Sequence, residues 1–114
     1  MIKGEIWWAN LPEDPYGSEP GKRRPVVILQ NDVFNRSTIK TTICAIITSN
    51  LKYAQFPANI ELEKTASRLD RTSVINFSQI ITIDKSRLTE QVSMLPKNYI
   101  EKMNESIRYI FDSD

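Results

Sequence analysis

Apolar and polar positions along the chain divide it into short β-like runs and one helical run. Residues 4–11, GEIWWANL, alternate loosely and carry two adjacent tryptophans, which predicts a first strand closed by Pro12. Residues 24–30, RPVVILQ, are apolar at successive positions and rich in β-branching. A strand with that pattern is buried on both faces, so it is expected at the centre of a sheet. Residues 38–49, TIKTTICAIITS, predict a long strand. Residues 58–63, ANIELE, alternate strictly and predict a strand with one wet face. Residues 73–84, SVINFSQIITID, read as one or two strands with a kink near Phe77 and Ser78, and LTEQVSML at 88–95 reads as the last.

Between these runs lie turns and loops. The stretch PEDPYGSEPG at 12–21 holds three prolines and two glycines, so it cannot sustain a ladder. It is longer than a tight hairpin needs, and long loops on small domains often carry function. Residues 31–37 predict a polar turn or a single helical turn, 50–57 a loop with two aromatics, and 64–72 a connector. Pro96 opens a helix, at the position where a missing N–H costs least. In that helix Ile100, Met103, Ile107, Ile110 and Phe111 fall on one stripe, suited to core or dimer packing. Roughly seven short strands and one C-terminal amphipathic helix predict a mostly β, α+β architecture: a small, curled, antiparallel barrel.

Composition narrows the chemistry. A chain of 114 residues, 40% apolar and 25% charged, is expected to be one domain, residues 1–114, with a modest core. The net charge of +1 requires any basic surface to be local. The sequence has no histidine, which excludes histidine metal sites, Ser-His and Cys-His pairs and paired-histidine ribonuclease chemistry. The single cysteine, Cys44, lies in the apolar run TTICAII and reads as a buried thiol in a reducing compartment. Glu61 and Glu63 have no third ligand-spaced partner, so no metal and no cofactor are expected. No apolar run approaches a membrane span, and Met-Ile-Lys-Gly leads straight into a strand pattern rather than a signal peptide. The expected compartment is the cytoplasm.

The candidate chemistry gathers at strand ends. In GSEPGKRRPVVILQND, residues 17–32, three cations stand at the mouth of the most apolar strand. Pro25 biases Arg24 toward extended backbone, and a guanidinium fixed at a strand end suits a phosphate. The competing reading pairs Arg23 and Arg24 with Glu19 or Asp32 as surface bridges. Strand 38–49 ends in Thr48, Ser49 and Asn50, where a hydroxyl serves either a turn or a phosphoryl oxygen. Gln30-Asn31-Asp32 and Asn76-Phe77-Ser78-Gln79 likewise place amides at strand ends, where they could read unstacked RNA bases. Trp7 and Trp8 must face opposite sides of a strand, so one belongs to the core and the other is open to an interface or a base. Tyr16, Tyr53 and Phe56 lie in predicted loops, better placed to meet a nucleobase or a partner peptide.

Taken in order, Gly17-Ser18-Glu19, Arg24-Pro25-Val26-Val27-Ile28, Gln30-Asn31-Asp32, Ala45-Ile46-Ile47-Thr48 and DRTSVINFSQIITIDKSRL at 70–88 resemble the MazF/PemK toxins, and the final helix fits the same pattern. The resemblance implies an SH3-like barrel of the CcdB/PemK type and a homodimer. It implies a sequence-specific, metal-independent endoribonuclease that cuts single-stranded mRNA, and a cognate antitoxin that occupies the RNA groove. By position it implies Arg24 and Thr48 as catalytic residues, with Glu19 in the loop. It places Ser18, Gln30, Asn31, Ser73 and Gln79 near the RNA, and Arg23 and Ser49 flank the catalytic pair. Pro20 departs from the glutamine common after Gly-Ser-Glu in the family. Such an enzyme uses the RNA 2′-OH as nucleophile and leaves 2′,3′-cyclic phosphate and 5′-OH ends, with Arg24 and Thr48 stabilising the added charge; Glu19 is the candidate to receive the proton, the alternative being that Arg24 shuttles both protons. Three other readings share the fold or the surface: a non-enzymatic gyrase poison of the CcdB type, a barrel that only binds nucleic acid, and an inactive toxin.

Overall fold

Strands form where the β-branched runs lie. The computed structural model describes residues 1–12 and 22–113. Strands β1 (Glu5–Asn10), β2 (Arg23–Ile28), β3 (Thr41–Thr48), β4 (Ile60–Leu62), β5 (Ser73–Asp84) and β6 (Leu88–Met94) make one sheet in the order β4-β5-β3-β2-β1-β6. Every pairing is antiparallel. Short helices α1 (Asp32–Asn35) and α2 (Lys64–Ser67) sit in connections, and α3 (Lys97–Phe111) closes the chain. Pro96 is the residue before the first helical turn rather than within it.

Two apolar clusters lie on opposite faces of the sheet, and the period of two along each strand sorts residues between them. Ile6, Val27, Ala45, Ile47, Ile75 and Leu95 form one cluster, with Met103 of α3 fully buried against them. Ala9, Val26, Cys44, Ile46 and Ile83 form the other, joined by Trp7 and Leu88. Adjacent Val26 and Val27 therefore belong to different clusters, which is why β2 is apolar at successive positions from Pro25 to Ile28. The α3 stripe is only partly used. Ile100, Met103 and Ile107 pack on the sheet, while Phe111 is 70% exposed.

The sheet has six strands rather than seven, because β5 is continuous. Its kink is a bulge: Ile46 pairs with Asn76 but Ala45 pairs with Ile80, so residues 77–79 have no opposite number on β3. Side chains satisfy the backbone groups this frees. Phe77 N–H donates to Asn59 Oδ1 at 2.8 Å, and Ser78 N–H donates to Asn76 Oδ1 at 3.1 Å.

Candidate functional site

The site begins where two neighbouring strands part. β2 and β3 are paired only from Val26–Ile46 to Ile28–Cys44. Beyond Val26, β2 continues against β1 as far as Arg23, and beyond Ile46, β3 continues against β5 as far as Thr48. Pro25 has no N–H to give to β3, so the β2–β3 ladder stops where the sequence places the proline. The sheet opens there into a groove of about 520 Å³.

Arg24 and Thr48 stand on its two lips. In each β2–β3 pair the residue numbers add to 72, so carrying the register onward sets Arg24 opposite Thr48. Residues directly opposite share a face of the sheet, and both line the groove. Thr48 Oγ1 accepts from Asn50 N–H at 3.2 Å. That bond fixes the hydroxyl and leaves its hydrogen to donate elsewhere. Among the described residues, Lys22, Arg23 and Arg71 add positive charge to the lining, against one acid, Asp70, and Trp8, Pro25, Ile47 and Leu69 supply apolar surface.

Arg23 is engaged. Its guanidinium bonds Glu90 at 3.0 Å and lies 4.5 Å from the centre of the Trp8 ring. It does form a surface bridge, with the Glu90 carboxylate of β6 rather than with Asp32; Glu19 lies outside the described residues. Ser49 and Ser73 also line the groove, and Ser73 Oγ donates to the Arg71 carbonyl at 3.0 Å. Ser18 and Glu19 lie outside the described residues, as does Tyr16.

Three expected RNA contacts are placed elsewhere. Gln30 uses its amide to hold Asn35 Oδ1 at 2.9 Å and the Thr41 carbonyl at 3.2 Å. Asn31 caps α1 by accepting from Val33 N–H at 2.9 Å. Both face a separate apolar groove of about 330 Å³ with Phe34, Ile43, Ile107 and Phe111. Gln79 sits in the β5 bulge, accepting from Asn76 Nδ2 at 3.1 Å. Tyr53 and Phe56 stack edge to face on each other, 5.5 Å between centres, and neither lines the groove of Arg24. Asp70 and Arg71, which wall that groove, lie in the stretch 64–72 that the pattern gives as a connector, and they open the run 70–88 that carries the family resemblance; neither is among the expected site residues.

Cys44 is not placed to act as a nucleophile. Cys44 is fully buried, and burial pushes its thiol up to about 12. Among the described residues, no three His, Cys, Asp or Glu side chains are grouped to hold a metal ion. No helix among them is long and apolar enough to cross a membrane.

Comparison with known proteins follows the same lines. The family described as PemK-like, MazF-like toxin of type II toxin-antitoxin system matches residues 2–111. The chain is 41% identical over 112 residues to Endoribonuclease MazF2 of Mycobacterium bovis, covering 98% of this chain and 97% of that one. It is 37% identical over 106 residues to Endoribonuclease EndoA of Bacillus subtilis, covering 93% and 90%. Among solved structures, Mycobacterium tuberculosis toxin MazF-mt6 matches with a TM-score of 0.77 at 24% identity, covering 96% of this chain and 98% of that one. An endoribonuclease in complex with its cognate antitoxin, from a mycobacterial species, matches with a TM-score of 0.69 at 17% identity, covering 96% and 90%. At those identities the two structures bear on the fold, which they share with the curled sheet and terminal helix described above.

Proposed function

The chain belongs to the PemK-like, MazF-like toxins of type II toxin–antitoxin systems, and from that premise we propose that it is an endoribonuclease that cuts single-stranded mRNA and is held in check by a protein antitoxin. The observation that carries the assignment is the groove in which Arg24 and Thr48 oppose each other across the parted strands. A gyrase poison has no need of that pair.

The proposed reaction uses the substrate's own nucleophile. The 2′ oxygen attacks phosphorus, its proton passes to the Glu19 carboxylate, and the bond from phosphorus to the 5′ oxygen breaks as that oxygen takes a proton from solvent water. The products carry a 2′,3′-cyclic phosphate and a 5′-OH. Arg24 donates to the phosphorane and to the leaving oxygen, and Thr48 donates to a nonbridging oxygen. Arginine stays protonated in proteins, so it serves as donor and not as base. Glu19 is assigned the base because it stands three residues before Lys22, which lines the groove. Three residues span at most about 11 Å of backbone. No metal ion or cofactor enters this scheme.

Arg23, Ser49 and Ser73 are proposed to touch the RNA inside the groove, with Ser18 beside Glu19. Gln30, Asn31 and Gln79, which hold local structure, are assigned to the outer margins of the RNA path. The whole chain acts as one domain in the cytoplasm and works as a homodimer. Exposed Phe34 and Phe111, which line the second groove, support a partner copy on that face. The test is to incubate the protein with a long single-stranded RNA in excess EDTA and analyse the fragment ends. Discrete cuts at a shared short motif, with cyclic phosphate and 5′-OH ends, are expected. An intact RNA, or ends bearing 5′-phosphate, contradicts the proposal.

A further inference from the structure

The groove has a feature that phosphate binding does not use. Between its cations lies an apolar floor made by Trp8, Pro25, Ile47 and Leu69. A phosphate set on that floor would lose its hydration without gaining donors. An unstacked base has the opposite need: its faces are apolar, and single-stranded RNA is commonly held by stacking bases on aromatic rings and arginine planes.

Trp8 is fixed for such a role. It pairs with Pro25 on β2 and with Glu90 on β6, and it is half-buried. Its neighbour Trp7 belongs to the opposite face and donates its indole N–H to Glu5 Oε1 at 3.2 Å. The guanidinium of Arg23 stands 4.5 Å from the Trp8 ring centre while Glu90 holds it at 3.0 Å. That carboxylate offsets the charge of Arg23 and fixes its plane. Lys22, Arg24 and Arg71 remain as the cations of the rim.

We propose that this floor is a subsite for one unstacked nucleobase, with Trp8 as the stacking surface and Arg23 as the guanidinium plane that completes it rather than as a phosphate ligand. The inference rests on the ribonuclease reading. Trp8 and Arg24 line the same groove, so the base belongs to a nucleotide flanking the scissile phosphate. Trp8 is then a residue that sets specificity for the cut site, acting through base contact rather than on the reacting atoms.

The experiment is an abasic scan. RNA oligonucleotides carrying the cut motif, made uncleavable by a 2′-deoxy sugar at the cut, receive one abasic nucleotide at each position in turn. Binding is read by anisotropy for the unaltered protein, Trp8→Leu and Trp8→Phe. One abasic position beside the cut is expected to weaken the unaltered protein by about tenfold or more. Trp8→Phe keeps part of that penalty, and Trp8→Leu loses it. In a Trp7→Phe background, Trp8 is the sole tryptophan. Its emission is expected to be quenched by intact RNA and not by RNA abasic at that position. This readout stands even where Trp8→Leu fails to fold. An abasic profile in Trp8→Leu identical to that of the unaltered protein, or emission unchanged at saturation, overturns the subsite. If RNA is still cut at discrete sites in that case, the ribonuclease reading survives alone; if RNA is neither bound nor cut, both fall.

Discussion

Arg24 owes its place to the residue after it. Pro25 keeps Arg24 extended and ends the β2–β3 ladder, so one side chain both aims the arginine and opens the groove it serves. Thr48, across the opening, has its hydroxyl oriented by the Asn50 N–H. Replacing Thr48 with valine keeps the branched shape and removes the donor. Cleavage is expected to slow by about 10²–10³, with Thr48→Ser recovering most of it, in single-turnover assays. Cys44 makes a prediction of another kind. Its thiol stands at about 12 when folded against 9.0 for the ordinary group. The folded pKa is the raised one, so the associated stability is full below pH 9 and is lost as pH climbs from there toward 12. Urea midpoints measured across that range should fall less steeply in Cys44→Ala than in the unaltered protein. In the same residue-level terms, the strand-end positions of Arg24, Thr48, Ser49 and Ser73 were legible in the sequence. Gln30 and Asn31 were not distinguishable from them. The bond from Gln30 to Asn35 and the cap that Asn31 gives α1 depend on neighbours that the strand-end pattern does not name.

Elements were read best where packing left a periodic trace. Burial on both faces of β2 is written in its unbroken apolar run, and its central place in the sheet follows. The continuity of β5 was not legible, because the bulge at 77–79 is held by Asn59, a residue from another part of the chain. The groove was legible only in part. Its β2 and β3 lips were read as strand ends, but the wall from Leu69 to Arg71 comes from a connector with no periodicity. Gly4 ties three elements together. Its N–H donates to the Ile28 carbonyl at 2.9 Å, and its carbonyl accepts from Leu95 N–H at 3.0 Å. Its φ is +92°, and a Cβ there would come within 2.8 Å of Ile100 Cδ1 on α3. The Ile100 tip can rotate away, but the backbone strain cannot be relieved. Gly4→Ala is expected to cost about 1–2 kcal/mol, seen as a thermal unfolding midpoint lowered by several degrees. The groove is formed by other elements, so cleavage at low temperature should persist.

At the scale of the whole molecule, the two grooves differ in character: one is lined by several cations, the other almost entirely by apolar side chains. Positive charge is concentrated at the parted strands although the net charge is only +1. RNA affinity should therefore depend only moderately on salt, with stacking supplying what the weak field does not. The exposed end of the α3 stripe lies on the other groove, which Phe111 lines together with Ile43 and Phe34. If that face joins two copies, light scattering should give twice the 13.2 kDa chain mass. Phe111→Asp should shift the protein toward monomer while its circular dichroism is kept. A dimer unaffected by that substitution places the interface elsewhere. The barrel-like fold and its helix were legible from the order of the runs. The free end of the stripe was legible only as apolar, because a helix writes the same pattern for a core and for a partner.

The central claim is that Arg24, at the mouth of β2, stabilises a scissile RNA phosphate. The most direct measurement is the single-turnover cleavage rate of Arg24→Ala beside the unaltered protein, on one defined single-stranded RNA in excess EDTA, with folding checked by circular dichroism. A folded variant whose rate falls by about 10²–10³ or more is predicted. A folded variant that cuts the same sites at an undiminished rate would contradict the account.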